Sequence, residues 1–287
     1  MQTKPGRISF CLTGILLILQ LNIHAQDDTL APKPLSTIPR DERTMSVVPD
    51  KGYFKSWITD GRDIVIAPYR WNKYQWIALS SVAVVSALLY TQDARIQKIA
   101  EKNRNSFMDW ASTNGLERLG SGVYTIPALG ILYGVGMLTK DEKARYTALK
   151  GVEAYLFGFM ASQLIKQLTH RHRPWNSNFD PGIWDGPFNS ISNSSFPSGH
   201  STIAFAIATV VATSYNKTVW VPVVCYTFAG LVAASRVYQN DHWFSDVFVG
   251  SALGFAIGRT IINNHIKKLK VLPVSHTGLG MMLIYQL

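Results

Sequence analysis

The chain has 287 residues, of which 47% are hydrophobic and only 16% charged, with 28 Lys and Arg against 18 Asp and Glu for a formal net charge of +10. That balance is too apolar for a disordered polypeptide and suits anionic substrates or anionic lipid surfaces. Nucleic acid is not expected as a partner, because the basic residues are scattered and form neither a stripe nor a recognition motif.

The amino terminus reads as an export signal over residues 1–25. Lys4 and Arg7 open it, Ile8 to Leu21 supplies the apolar stretch, and His24-Ala25 before Gln26-Asp27-Asp28 offers a cleavage point, with an uncleaved anchor as the alternative. Cleavage there would leave Cys225 as the single cysteine of the mature chain, which excludes an internal disulfide. Residues 26–70 read as a polar leader dotted with Pro32, Pro34, Pro39 and Pro49, passing into a short amphipathic approach from Tyr53 to Trp71.

Six apolar runs follow within a domain placed at residues 71–270: Trp76 to Tyr90, Gly120 to Leu138, Val152 to Ile165, Ser201 to Tyr215, Val219 to Ala234 and Val247 to Ile262. Their helical patterning predicts an all-α bundle of about six core helices. The last run carries Gly250, Gly254 and Gly258 at four-residue spacing, a close-packing face. Many of these runs fall short of the ~20 residues of a full span, so a membrane-embedded bundle is favoured while an exported soluble bundle stays open. If Ala25 is a cleavage point, three crossings before Lys166 would put that residue inside, unless the run from Trp76 to Tyr90 does not cross. Lys140, Lys143 and Arg145 in one connection, with Lys267, Lys268 and Lys270 near the end, favour cytoplasmic placement of those ends and an outward-facing site. Residues 271–287 alternate weakly and read as a strand or an irregular, surface-docked tail.

Three short segments carry the chemistry. Lys166 lies seven residues before Arg173-Pro174; Pro197-Ser198-Gly199-His200 feeds an apolar helical run; and Ser235-Arg236 is followed by His242 and Asp246. Lys166, Arg173 and Arg236 are rigid donors for the spread negative charge of a phosphoryl group. His242 is a candidate nucleophile, with Asp246 four residues on and therefore on the same side if both are helical. His200, at a turn before a helix, is a candidate acid, and the Gly199 backbone there can approach an anion closely. No zinc-type ligand cluster is present. His170 and His172, between Lys166 and Arg173, read as loop-facing and non-catalytic, and Trp243 as a wall of the pocket. Trp175, Phe179, Trp184 and Phe188, in the loop up to Phe196, either pack that loop or flank a substrate group.

In these three segments the chain resembles the type 2 phosphatidic acid phosphatase and vanadium haloperoxidase superfamily, whose signature is K-x6-R-P, then P-S-G-H, then S-R-x5-H-x3-D. The resemblance implies a phosphoric ester hydrolase acting through a phosphohistidine, without metal or cofactor, on phosphorylated lipids or isoprenoid carriers in a bacterial-type envelope. It implies His242 as nucleophile, His200 as general acid and Asp246 as the residue orienting His242. Lys166, Arg173, Arg236, Ser198 and the Gly199 amide would hold the phosphate. Phosphatidic acid, phosphatidylglycerol phosphate, undecaprenyl pyrophosphate and the lipid A phosphates are all compatible with such a site. A soluble periplasmic acid phosphatase, a vanadate-dependent haloperoxidase and a non-hydrolytic lipid-binding protein remain the alternatives.

Overall fold

The computed structural model describes residues 48–187, 193–267, 269–275 and 279–285. The expected signal segment and most of the leader lie outside the described residues, as does Phe188.

The described chain runs through helices α1 (Lys51–Ile66), α2 (Lys73–Tyr90), α3 (Asp93–Lys102), α4 (Ser106–Ala111), α5 (Glu117–Gly120), α6 (Thr125–Leu138), α7 (Glu142–Thr169), α8 (Gly199–Ser214), α9 (Trp220–Tyr238) and α10 (Phe244–Lys267). Five of the six apolar runs are essentially helical and the sixth, Gly120 to Leu138, is helical from Thr125 after a turn over 121–124; the all-α bundle expectation holds for the part of the fold that carries the three motifs. Several ends have their own stop and start signals. Asn72 caps α2 in a full capping box with Gln75, and Asp141 accepts from the amides of Lys143 and Ala144 at the start of α7.

The tail departs from the single-strand reading. Strands β1 (Leu269–Ser275) and β2 (Leu279–Tyr285) pair antiparallel, with Leu269 opposite Tyr285 and Ser275 opposite Leu279. The weak alternation noted in the sequence is thus shared between two short strands, and the hairpin begins two residues before the expected domain end.

Helix α8 is the centre of the bundle and packs against α7, α9 and α10. Ile203, Ala206, Ile207 and Val210 of α8 meet Leu129 of α6, Tyr146 and Ala154 of α7 and Ile257, Ile261 and Ile262 of α10 in one buried cluster. The glycine ridge of α10 lies directly on the α8 backbone. A Cβ at Gly250 would stand 2.6 Å from the Ser198 carbonyl oxygen, at Gly254 2.1 Å from that of Thr202 and at Gly258 2.5 Å from that of Ala206. Only glycine permits this approach, which seats the start of α8 against the start of α10.

The segment that sequence left without a role, α1, is fastened to α7 by buried charges. Lys150 Nζ lies 3.2 Å from Asp60 and 2.7 Å from Glu153, all three fully buried, and the Tyr53 hydroxyl donates to the Leu149 carbonyl at 2.8 Å.

Helix α9 (19 residues) and the 20-residue stretch Phe244–Asn263 of α10 are long and apolar enough to cross a membrane. The α2 and α3 pair, bent by 60°, and the 106–120 and α6 pair, bent by 56°, also pass if each is one broken span. On α9, Trp220, Val223, Val224, Phe228 and Leu231 are exposed. Their spacing places them along one outward apolar face, the kind of surface that lipid covers.

Candidate functional site

The three motifs meet at one end of the bundle, where α7 and α9 finish and α8 and α10 begin. Lys166 sits in the last turn of α7 and Arg173 just beyond it; Ser198 caps α8, with Gly199 and His200 in its first turn; Arg236 closes α9 and His242 precedes α10.

Backbone hydrogen bonds tie these pieces together. The amides of Asp241 and His242 both return to the Arg236 carbonyl, at 3.1 and 3.3 Å, so one tight reversal sets a cation beside an imidazole. The Ser198 amide donates to the Asp246 carbonyl at 3.1 Å, which joins the second motif to the third. Ser198 Oγ accepts from the Ser201 hydroxyl at 2.9 Å and from its amide at 3.4 Å, as expected of an N-cap serine. On the other side of His200, a Cβ at Gly120 would come within 2.8 Å of the imidazole Cδ2 and 2.7 Å of Val232, so the end of α5 lies flat against that ring.

His242 is buried, and its Nδ1 is 2.6 Å from the Ser195 carbonyl oxygen. A carbonyl only accepts, so Nδ1 carries the hydrogen and the lone pair of the neutral ring resides on Nε2. Burial first, then the charges of Lys166, Arg173, His200 and Arg236, push the ring well below the ordinary imidazole range. His200 is held down to about 3 by burial and by Arg236, Arg173 and Lys166. The same three cations therefore act on both imidazoles. Lys166 is lowered to about 7, chiefly by burial and then by Arg173.

Two buried atoms of this cluster, His200 Nε2 and Arg173 Nε, have no hydrogen-bond partner among the described residues. Groups so placed are costly unless something polar completes them, and a phosphoryl oxygen has the acceptor character both need. Lys166 is less free than the sequence suggests. Its Nζ donates to the Ser194 carbonyl at 2.6 Å and reaches that of Ser195 at 3.3 Å.

Asp246 does not occupy the expected place. The i, i+4 argument assumed that His242 and Asp246 share a helix, but α10 begins at Phe244 and His242 lies outside it. Asp246 is instead in the first turn, where its carboxylate folds back to accept the Trp243 amide at 3.2 Å, the geometry of half a capping box. It also accepts from Ser195 Oγ at 2.5 Å and Arg171 Nη1 at 2.5 Å. Its route to His242 passes through Ser195, whose Oγ is 3.3 Å from Nδ1.

Arg171 and Ser195 are the residues sequence reasoning missed. Arg171, fully buried, binds Asp93 at 2.8 Å, Ser245 Oγ at 2.8 Å and the Pro181 carbonyl at 3.1 Å besides Asp246, with the rings of Tyr90, Trp184 and Trp243 around its guanidinium. The available signal was an extra arginine inside the first motif; nothing in the sequence marked Ser195 or Asp93. Trp243 is fully buried and donates to the His172 carbonyl at 2.8 Å, so it packs beneath Arg171 and does not form a pocket wall. Trp184 meets Phe196 in a tilted ring contact at 5.6 Å and, with its contact to Arg171, fits the packing alternative for the loop. His172 pairs with Asp185 at 2.6 Å, whereas His170 is 2% exposed and caps α7 in the left-handed region at φ 45°, a buried position and not a loop-facing one.

Comparison with known proteins agrees with the motif reading. Residues 147–270 match the family model of the PAP2 superfamily, a span that contains all three motifs. A lipid A 1-phosphatase of Porphyromonas gingivalis is 43% identical over 65 residues, 22% of this chain and 15% of that protein. Phosphatidylglycerophosphatase B of Bacillus subtilis is 24% identical over 194 residues, 64% of this chain and 88% of the relative. Among solved structures, a transmembrane PAP2-type phosphatidylglycerolphosphate phosphatase from Bacillus subtilis aligns with a TM-score of 0.46 and 22% identity, covering 63% of this chain and 92% of that one.

Proposed function

We propose that this chain, through a region matching the PAP2 superfamily, is a phosphoric ester hydrolase that removes phosphate from lipids or isoprenoid carriers by way of a phosphohistidine. The observation that carries the reading is the meeting of the three motifs at one end of the bundle, joined by the Ser198 amide on the Asp246 carbonyl and the Asp241 and His242 amides on the Arg236 carbonyl, with His200 Nε2 and Arg173 Nε buried and without a hydrogen-bond partner among the described residues.

The cycle has two steps. The guanidinium groups, the Ser198 hydroxyl and the Gly199 amide hold the non-bridging oxygens. His242 Nε2 then attacks phosphorus in line as the P–O bond to the alcohol breaks, and His200 gives its proton to the departing oxygen. Water attacks the phosphohistidine next; the P–N bond breaks, neutral His200 takes the water proton, and inorganic phosphate leaves. His200 must be protonated to begin. The dianionic substrate supplies the counter-charge that lifts its proton affinity in a site where three cations otherwise suppress it.

Both named relatives act on phosphorylated lipids by their descriptions, and the outward apolar face of α9 supports the same class of substrate here. The protein sits in the membrane with the site facing outward. Helix α7, 28 residues and about 42 Å long, separates the site from a basic end formed by Lys140, Lys143, Arg145 and, between α8 and α9, Lys217. Basic connections favour the cytoplasmic side.

The deciding experiment is phosphate release by the purified full-length protein from phosphatidic acid, phosphatidylglycerol phosphate, undecaprenyl pyrophosphate, lipid A and soluble phosphomonoesters, with and without detergent micelles. A preference for micellar lipid is expected. Release from none of them would overturn the reading, and equal rates on soluble esters would remove its lipid part.

A further inference from the structure

Asp241 is not a signature position, yet its carboxylate spans two of the cations assigned to phosphate. Oδ1 is 3.3 Å from Arg173 Nη1, and Oδ2 is 3.3 Å from Arg236 Nη1. The remainder of the Arg236 guanidinium is also engaged: Nε donates to Ser235 Oγ at 3.3 Å, Nη2 donates to Gln239 Oε1, and the Glu117 carboxylate lies 3.9 Å from Nη2. A phosphoryl group that binds Arg173 and Arg236 together therefore has to take the place Asp241 now holds.

That place is loosely held. Tight contacts between a guanidinium and a carboxylate run to about 2.7–2.9 Å, and both of these are longer. The Asp241 side chain is also 28% exposed, so it can turn into water without a burial penalty. Asp246 stands in contrast as a fully buried carboxylate held by Arg171 at 2.5 Å.

We infer that Asp241 is a built-in competitor for the phosphate subsite: an internal anion that bridges Arg173 and Arg236, yields to the incoming phosphoryl group, and limits the affinity for every phosphate that binds there. The inference rests on the proposed function and extends it to the product side of the cycle. The cost of displacing Asp241 falls equally on substrate and product, but inorganic phosphate has no lipid portion to offset it, so the product is left with a low net affinity and leaves readily. The residue thus promotes product release without touching the reacting atoms.

The alternative role is a scaffold that keeps the two guanidinium groups in position, and it predicts the opposite sign. Binding of inorganic phosphate and of tungstate to the full-length protein, measured by calorimetry without turnover, distinguishes them. Asp241→Asn keeps the shape and removes the charge; Asp241→Ser removes both, and provides a second comparison if one variant fails to fold. In each folded variant both anions should bind about tenfold more tightly, the order expected when a like charge is removed from within one shell of the anion, and inhibition by phosphate should strengthen in parallel. Unchanged or weaker binding in a variant that retains the wild-type thermal transition overturns the proposal. Tighter binding in a protein that releases phosphate from no ester leaves Asp241 as the competitor and removes the hydrolase reading instead.

Discussion

Arg171 Nη1 lies 2.5 Å from Asp246 Oδ1, and both side chains are wholly buried, with Asp93 2.8 Å away on the other arm of the same guanidinium. One arginine thus bridges two carboxylates from different helices beside the proposed nucleophile. Replacing Arg171 by Met leaves both acids buried and unpaired, a loss expected to cost about 3–5 kcal/mol. Lys at this position retains charge but not the planar fork that serves four acceptors. Thermal unfolding should show a large drop for Arg171→Met and a smaller one for Arg171→Lys; wild-type stability in both would refute this role.

Substitution of His242 by Ala should abolish phosphate release, a loss of at least about three orders of magnitude for removal of the proposed covalent nucleophile. His172→Ala should stay within about twofold of wild type, because that ring pairs with Asp185 at the surface side of the loop. Initial rates on the best substrate of the panel measure both.

The close contact of α8 and α10 predicts that Gly254→Ala is costly. Its Cβ would meet the Thr202 carbonyl at 2.1 Å, so the helices must part and carry Ser198 and His200 away from His242. Overpacking of about 1–3 kcal/mol and a fall in kcat/KM of about a hundredfold are expected. Gly130→Ala on α6, where a Cβ meets nothing within 4 Å, serves as the comparison and should leave both quantities unchanged.

Acidification should weaken the anion-free protein. His200 is lowered from 6.5 to about 3, so between those values the unfolded chain binds more protons than the folded one. Stability conferred by keeping this ring neutral is complete above about pH 6.5 and is lost as pH falls through that window. An anion in the pocket favours charged His200 and charged Lys166, so it reverses the penalty. Sulfate, which keeps its charge throughout, should raise the melting temperature more at pH 5 than at pH 8; an equal gain at both would argue against anion contact with these groups.

Among the described residues no group of three or more His, Cys, Asp or Glu side chains is arranged to hold a metal ion. The proposed cycle draws its nucleophile and its acid from His242 and His200, so phosphate release should persist in EDTA at close to the untreated rate. Loss of activity restored by added divalent cation would contradict the two-histidine cycle.

The six apolar runs were legible because each is a long apolar stretch bounded by turn residues or charges, which suffices to specify a buried helix. Helices α3 and α4 were not. Both are short, α3 is polar, and α3 is held by distant contacts, with Asp93 on Arg171 and Gln97 donating to the Val237 carbonyl at 2.8 Å. The residues of the site could be named from spacing because the signature gives residue identity. Their mutual geometry could not, since spacing does not reveal that α10 starts after His242 and so turns Asp246 toward Trp243 and Arg171. Arg171 belongs to no signature position, and only its burial and its four inward hydrogen bonds distinguish it from the other cations of that stretch.

The carbonyl of Ser195 receives the His242 imidazole at 2.6 Å and lies 3.3 Å from the Lys166 ammonium. A single peptide oxygen therefore touches both groups, so a shift of the Ser195 carbonyl disturbs the Lys166 cation and the proposed attacking ring together. Enzymes whose capture and reaction steps can be tuned separately show substitutions that alter one alone; here, changes in the loop approaching Ser195 should shift binding and turnover in concert, so natural or selected variants of this segment would trade the two along one line.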